Sequence, residues 1–171
     1  MTKNAGDDLR LGFLTTVDVE QKGIVGGLLI TNRFGRPLEF QCTAPIKASR
    51  TQEILYGQTL RPYLKCDLIG KTLYDKASVK PHMVLTEDPE LLDLRQQLKV
   101  PVACCDEDSG TSSTPPNKVR IGDRILSFHS SHEKDSDTVN DHAEALPNDA
   151  DLAEPLERVR EALSETVRSG P

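Results

Sequence analysis

The chain has 171 residues, 36 % hydrophobic and 4 % aromatic with no Trp, a content that suits one compact domain joined to segments that pack little. Residues 1–105 carry 14 Lys and Arg against 12 Asp and Glu, whereas residues 106–171 carry 7 against 15. A near-neutral body with an acidic tail excludes nucleic-acid binding driven by bulk positive charge.

Residues 1–10 hold no apolar run, and no stretch approaches the length of a membrane span. A soluble cytoplasmic protein is therefore expected, with Cys42, Cys66, Cys104 and Cys105 as reduced thiols. Residues 10–20 alternate, with Leu11, Phe13, Val17 and Val19 on one face and Leu14, Thr16 and Asp18 on the other, which predicts a strand. The run GIVGGLLIT that follows is apolar on both faces, as a strand covered on both sides must be. Asn32 and Gly35 mark a turn, and from Pro37 the pattern alternates again: Leu38, Phe40 and Cys42 against Glu39, Gln41 and Thr43. Pro37 places this third strand at a sheet edge, where no ladder donor is missed. Gly26 and Gly27 read as points where helices approach the sheet closely.

After Pro45 the period changes. Ser49 and Gln52 have capping-box spacing, predicting a short helix over 50–56 and, with Thr59 as cap, a longer one over about 60–77. HMVLT at 82–86 and VPVACC at 100–105 read as short buried strands around a helix that starts at Pro89. Residues 10–105 thus form the core domain. Residues 106–118 read as a linker, 119–128 as an extra strand or hairpin, 129–151 as a disordered acidic linker, and 152–168 as an amphipathic helix with Leu156, Val159, Leu163 and Val167 at helical spacing.

A meander followed by two crossover strands predicts a mixed five-stranded α/β sheet of order 3-2-1-4-5. That order resembles the ribonuclease H-like fold. The resemblance implies strand-end acids holding two divalent ions for phosphodiester cleavage, with Asp18 and Asp88 or Glu87 at matching places. Asp18, Glu87 and Asp88 are accordingly the candidate catalytic residues, with Asp18 and Asp88 as metal ligands for Mg²⁺ or Mn²⁺. Asp106 and Asp108 would lie at the same end, beyond the fifth strand. The helix-borne acid of that group has its nearest counterpart in Glu53.

Around the turn, Arg33, Phe34 and Arg36, with Arg50 at the next helix start, combine cations with an aromatic ring and would suit phosphate or partner contact. His129 and His132 form H-x-x-H, and a nucleophilic Cys104 or Cys105 would have only His82 as a base inside the domain. The expected function is a non-catalytic binding or regulatory module, contacting a protein partner through the C-terminal helix and the basic turn. The alternative is a divalent-metal nuclease acting on nucleic acid.

Overall fold

Period-two alternation and short turns build the first half of the sheet. In the computed structural model, which describes residues 8–107 and 118–169, β1 (Arg10–Val19), β2 (Gly23–Asn32) and β3 (Pro37–Cys42) form the antiparallel meander. The β2–β3 turn is fixed by Asn32, whose side chain accepts from the amides of Phe34 and Arg36 at 2.9 and 3.0 Å, while Gly35 takes φ +85°. β4 (Met83–Thr86) lies parallel to β1, and β5 (Val102–Glu107) parallel to β4. The sheet does not stop there. β6 (Val119–Ile121) and β7 (Arg124–Phe128) form a hairpin about Gly122, and β7 pairs antiparallel with β5. The order is β3-β2-β1-β4-β5-β7-β6, seven strands and not the expected five. The run 119–128 was too short and too broken by Gly122-Asp123 to reveal which strand it would join.

One face of the sheet is covered by helical segments between β3 and β5. The Ser49–Gln52 capping box starts α1 (Arg50–Tyr56), both of its hydrogen bonds being present. The expected helix over 60–77 is broken into α2 (Leu60–Pro62), a π-helical segment Tyr63–Gly70, and α3 (Lys71–Lys76). Thr59 makes no cap; its hydroxyl donates to the Tyr56 carbonyl. Leu64, Cys66, Ile69 and Leu73 meet Leu14, Ile24, Leu28 and Ile30 of the sheet, joined by Leu91 and Leu94 of the 3-10 segment Pro89–Gln97. Gly26 is what admits this layer: a Cβ there would stand 2.1 Å from Ile69 Cγ2.

The opposite face is covered by α4 (Asp135–Ala143) and α5 (Ala153–Ser169). Leu156, Val159 and Leu163 of α5 pack on Leu11, Phe13, Val25 and Leu29, and a Cβ on Gly27 would touch Val159 and Leu163 at 3.0 Å. Full burial of each such side chain contributes about 1.5–3 kcal/mol, so α5 is part of the domain and its apolar stripe is not offered to a partner. The expected disorder of 129–151 is also corrected. Few apolar residues suffice, because Val139 and Leu146 are buried and polar anchors do the rest. Arg95 Nε holds Asp135 at 2.8 Å, and His129 Nε2 lies 3.1 Å from Asp93 and 3.0 Å from Gln96. Within the expected linker 106–118, Asp106 and Glu107 belong to β5, and residues 108–117 lie outside the described residues. No helix among the described residues is long and apolar enough to cross a membrane.

Candidate functional site

The parallel strands end where β1, β4 and β5 meet the helical layers, and the candidate acids stand there. Pairing of Phe13 with Leu85 aligns Thr15, and not Asp18, with Glu87. Thr15 is buried, and its hydroxyl donates to Glu87 Oε1 at 3.4 Å. Arg160, from α5, forms an ion pair with the same carboxylate. Glu87 is therefore drawn to the α5 face.

Asp88 turns the other way. Its Oδ1 accepts from the Glu90 amide at 3.0 Å, capping the 3-10 segment, and its Oδ2 lies 2.6 Å from Lys65 Nζ. The Lys65 side chain is only 6 % exposed, and its ammonium also lies 3.6 Å from Glu90 Oε2. Arg61 extends the chain of charges, with Nε 3.6 Å from Glu90 Oε2 and Nη2 3.5 Å from Asp18 Oδ2. Asp18, with its side chain 68 % exposed, is thus tied to Asp88 only through Arg61, Glu90 and Lys65. The three expected catalytic acids come to one end of the sheet but are divided between its faces, each with a cation from the chain itself.

Among the described residues no group of three or more His, Cys, Asp or Glu is placed to hold a metal ion. Asp18 and Asp88, the expected metal pair, lie toward one face with two helix-borne cations, Arg61 and Lys65, between their oxygens. Asp106 accepts from Ser127 at 3.3 Å, and Asp108 lies outside the described residues. Glu53 pairs with Arg50 on α1 at 3.1 Å, and Glu39 accepts the amides of Val79 and Ser78. Those amides hold the Glu39 carboxyl below its ordinary pKa of 4.5. Neither is a fourth acid for the strand ends.

Cys66, Cys104 and Cys105 are buried. Burial pushes Cys66 and Cys104 up to about 12, and it raises Cys105 as well. His82 does not serve them: its Nδ1 accepts from the Arg10 amide at 3.0 Å, and its ring lies 5.8 Å from that of His142. The rings of His129 and His132 lie 5.7 Å apart, edge to face, with His129 buried against Asp93.

The basic turn is largely committed within the chain. The Arg33 guanidinium lies 4.6 Å over the Phe34 ring and donates to the Ala145 carbonyl at 3.3 Å, and Arg50 belongs to the α1 pair with Glu53. Arg36 stays exposed, as does Phe34. Arg158 of α5 donates to the Gly35 carbonyl at 2.9 Å, so α5 closes against the turn. Beneath it lies a cavity of about 550 Å³, with Leu11 and Phe13 in its floor and Arg33, Phe34, Asp149 and Arg158 at its rim. It was missed in the sequence because residues 146–151 read as disordered; Leu146-Pro147 ahead of a helix start was the available sign.

A second feature was visible but unweighted. α1 buries none of its residues, and Ile54 and Leu55 are 65 % and 77 % exposed. Large apolar side chains that adjoin each other in solvent mark contact surfaces more often than scattered ones do.

No protein-family model matches the chain, and no curated protein matches it. Two solved structures of Ciona intestinalis endonuclease V run a similar course. One, a variant in complex with a 23mer DNA containing an inosine followed by a ribo-adenosine, is 9 % identical with a TM-score of 0.47, over 91 % of this chain and 86 % of that one. The other, in complex with a 24mer DNA of the same kind, is 10 % identical with a TM-score of 0.43, over 94 % and 88 %. At that level the likeness carries no argument about function.

Proposed function

We propose that this chain is a non-catalytic binding module of ribonuclease H-like topology, and that α1 carries its contact with a protein partner. The topology rests on the meander β3-β2-β1 continued by parallel β4 and β5, with helical layers on both faces. The single observation behind the binding role is α1. A seven-residue helix with no buried residue, held at its C-terminal end by Tyr56 stacked on Tyr63, gains little stability from the core, and short helices are marginal in water. Its Ile54-Leu55 pair is accounted for by burial against another molecule. The four cysteines are all free thiols, which suits a cytoplasmic setting.

The test places a photoreactive residue at position 54 or 55 and, as control, at exposed Lys99, in cell extract. A defined adduct at 54 and 55 that is absent at 99 supports the reading, and Ile54→Asp with Leu55→Asp should abolish it without lowering the melting temperature. Identical adducts at all three positions would remove α1 as the contact.

A second reading, a divalent-metal nuclease using Asp18, Glu87 and Asp88, is favoured by one observation: Asp18, Asp88 and Glu90 share two cations and so stand in one network. A metal would have to displace Lys65 and Arg61. An Mn²⁺-induced rise in melting temperature, lost in Asp18→Asn, would favour this reading over the first. An excess of ion at about 100 times its Kd would add about 2.7 kcal/mol.

A further inference from the structure

We infer that the pocket at the C-terminal end of α1 receives an arginine side chain of the protein partner, beside the apolar residues that meet Ile54 and Leu55. It rests on α1 being the contact, and it adds what the contacting segment must carry. α1 ends at Tyr56, whose ring stacks on that of Tyr63 with centroids 4.6 Å apart and planes 19° from parallel. The two rings line a cavity of about 400 Å³ that opens to solvent. The rest of the lining includes Asp67, from the π-helical segment, and Asp93, Gln96 and Gln97, from the segment Pro89–Gln97. There is room for one long side chain but not for a helix about 10 Å across.

Charge selects the occupant. Among the described residues, the only charged side chains in the lining are the two carboxylates. Glu53, Glu87 and Asp88 are matched by Arg50, Arg160 and Lys65. Asp67 and Asp93 form no ion pair with a Lys or Arg among the described residues: Asp67 accepts from the Gln97 amide, and Asp93 lies 3.1 Å from His129 Nε2. Both are exposed. Gln96 and Gln97 commit their amide nitrogens to His129 and Asp67, which leaves the amide oxygens as acceptors. The two carboxylates also bear on one point, since the Cys66 thiol of the lining is raised by burial first and then by Asp93 and Asp67. Aromatic rings and acceptors without a cation of their own attract one. Arginine suits the pocket better than lysine: a guanidinium is planar, stacks on an aromatic face, and fans its N–H donors toward acceptors on separate segments. Ile54 and Leu55 directly precede Tyr56, so the partner's arginine adjoins its apolar contacts.

The chain has three tyrosines, and Tyr74, outside the pocket, is an internal control. N-acetyl-argininamide titrated into the intact chain should shift the NMR ring resonances of Tyr56 and Tyr63 saturably and leave those of Tyr74 unmoved. Its uncharged counterpart, N-acetyl-citrullinamide, should bind at least about tenfold more weakly. The Asp67→Asn, Asp93→Asn double variant keeps oxygens to face Gln97 and His129, and it should bring argininamide down to the citrulline level at an unchanged melting temperature. No saturable shift up to the solubility limit of the probe overturns the inference. So does equal binding of the citrulline probe, or undiminished argininamide binding to the double variant. Equal binding of N-acetyl-lysinamide overturns the guanidinium assignment. A photoadduct at positions 54 and 55 that forms undiminished in the double variant removes the pocket and leaves the α1 contact. Argininamide binding with no adduct at either position removes the α1 contact and leaves the pocket.

Discussion

Replacing Asp88 by Asn isolates the charge at the strand ends. The amide keeps the cap, since its oxygen still accepts from the Glu90 amide, but Lys65 loses its 2.6 Å partner. Lys65 is 5 % exposed and cannot recover its hydration without moving the π-helical segment. Breaking a buried pair on one side costs about 3–5 kcal/mol. Glu90 remains 3.6 Å from the ammonium, so the lower end, about 3 kcal/mol, is expected. For a chain of this size that is a fall in Tm of roughly 6–12 °C. The companion change, Lys65→Met, removes the buried charge, and the Lys65→Met, Asp88→Asn double variant should recover most of the loss, because an apolar replacement of a buried pair is often neutral. Thermal melts of the four proteins of this cycle read the coupling directly. An Asp88→Asn protein within about 0.5 kcal/mol of the parent would refute the buried pair as a stability determinant and return Asp88 to the list of free acids.

Three further outcomes follow from the packing. Gly26→Ala puts a methyl 2.1 Å from fully buried Ile69 and should destabilise by about 1–3 kcal/mol; a melt unchanged from the parent would mean that the π-helical layer shifts freely. Leu163→Ala should cost about 2–5 kcal/mol, and removal of residues 152–171 should unfold the domain, seen as loss of the cooperative transition, since it uncovers one face of the sheet. Burial, with Arg10 and His142 adding to it, lowers the His82 pKa below 6.5. The unfolded chain then takes up the proton first, so this contribution to stability is complete above pH 6.5 and declines as pH falls toward the folded pKa. The Tm of the parent should therefore fall more steeply than that of His82→Asn between about pH 7.5 and 5.5, and parallel curves would contradict it.

Where side-chain period met strong burial, the fold was legible. β1, β2 and β3, the α1 capping box, Pro89 at its segment start and the α5 stripe all follow from local pattern, and Gly26 and Gly27 serve the close approach expected of them. The failures share a cause: tertiary partners far along the chain. The α4 region looked unfoldable because its anchors, Arg95 and Asp93, lie some forty residues earlier. β7 joined the sheet through β5, a pairing with no local signature. The terminal helix read as a docking element because amphipathicity does not say whose apolar surface is matched.

Adjacency in sequence says least about geometry at the strand ends. Glu87 and Asp88 are neighbours, and two neighbouring acids beyond a strand invite a metal reading. A chain leaving a β-strand sends successive side chains to opposite faces, and here each face supplies its own cation: Arg160 from α5 for Glu87, Lys65 from the π-helical segment for Asp88. A divalent ion competing for both would have to bring them to one side and strip two ion pairs, one of them on a buried lysine. Ion binding at this end would therefore carry a penalty beyond ordinary ligand desolvation, and the cations, more than the carboxylates, set whether metal chemistry is open to it. Lys65→Met is the change that most lowers that barrier. If it raised Mn²⁺ affinity while Arg160→Met did not, the ion would belong to the Asp18–Asp88 side alone, leaving Glu87 as a structural partner of α5.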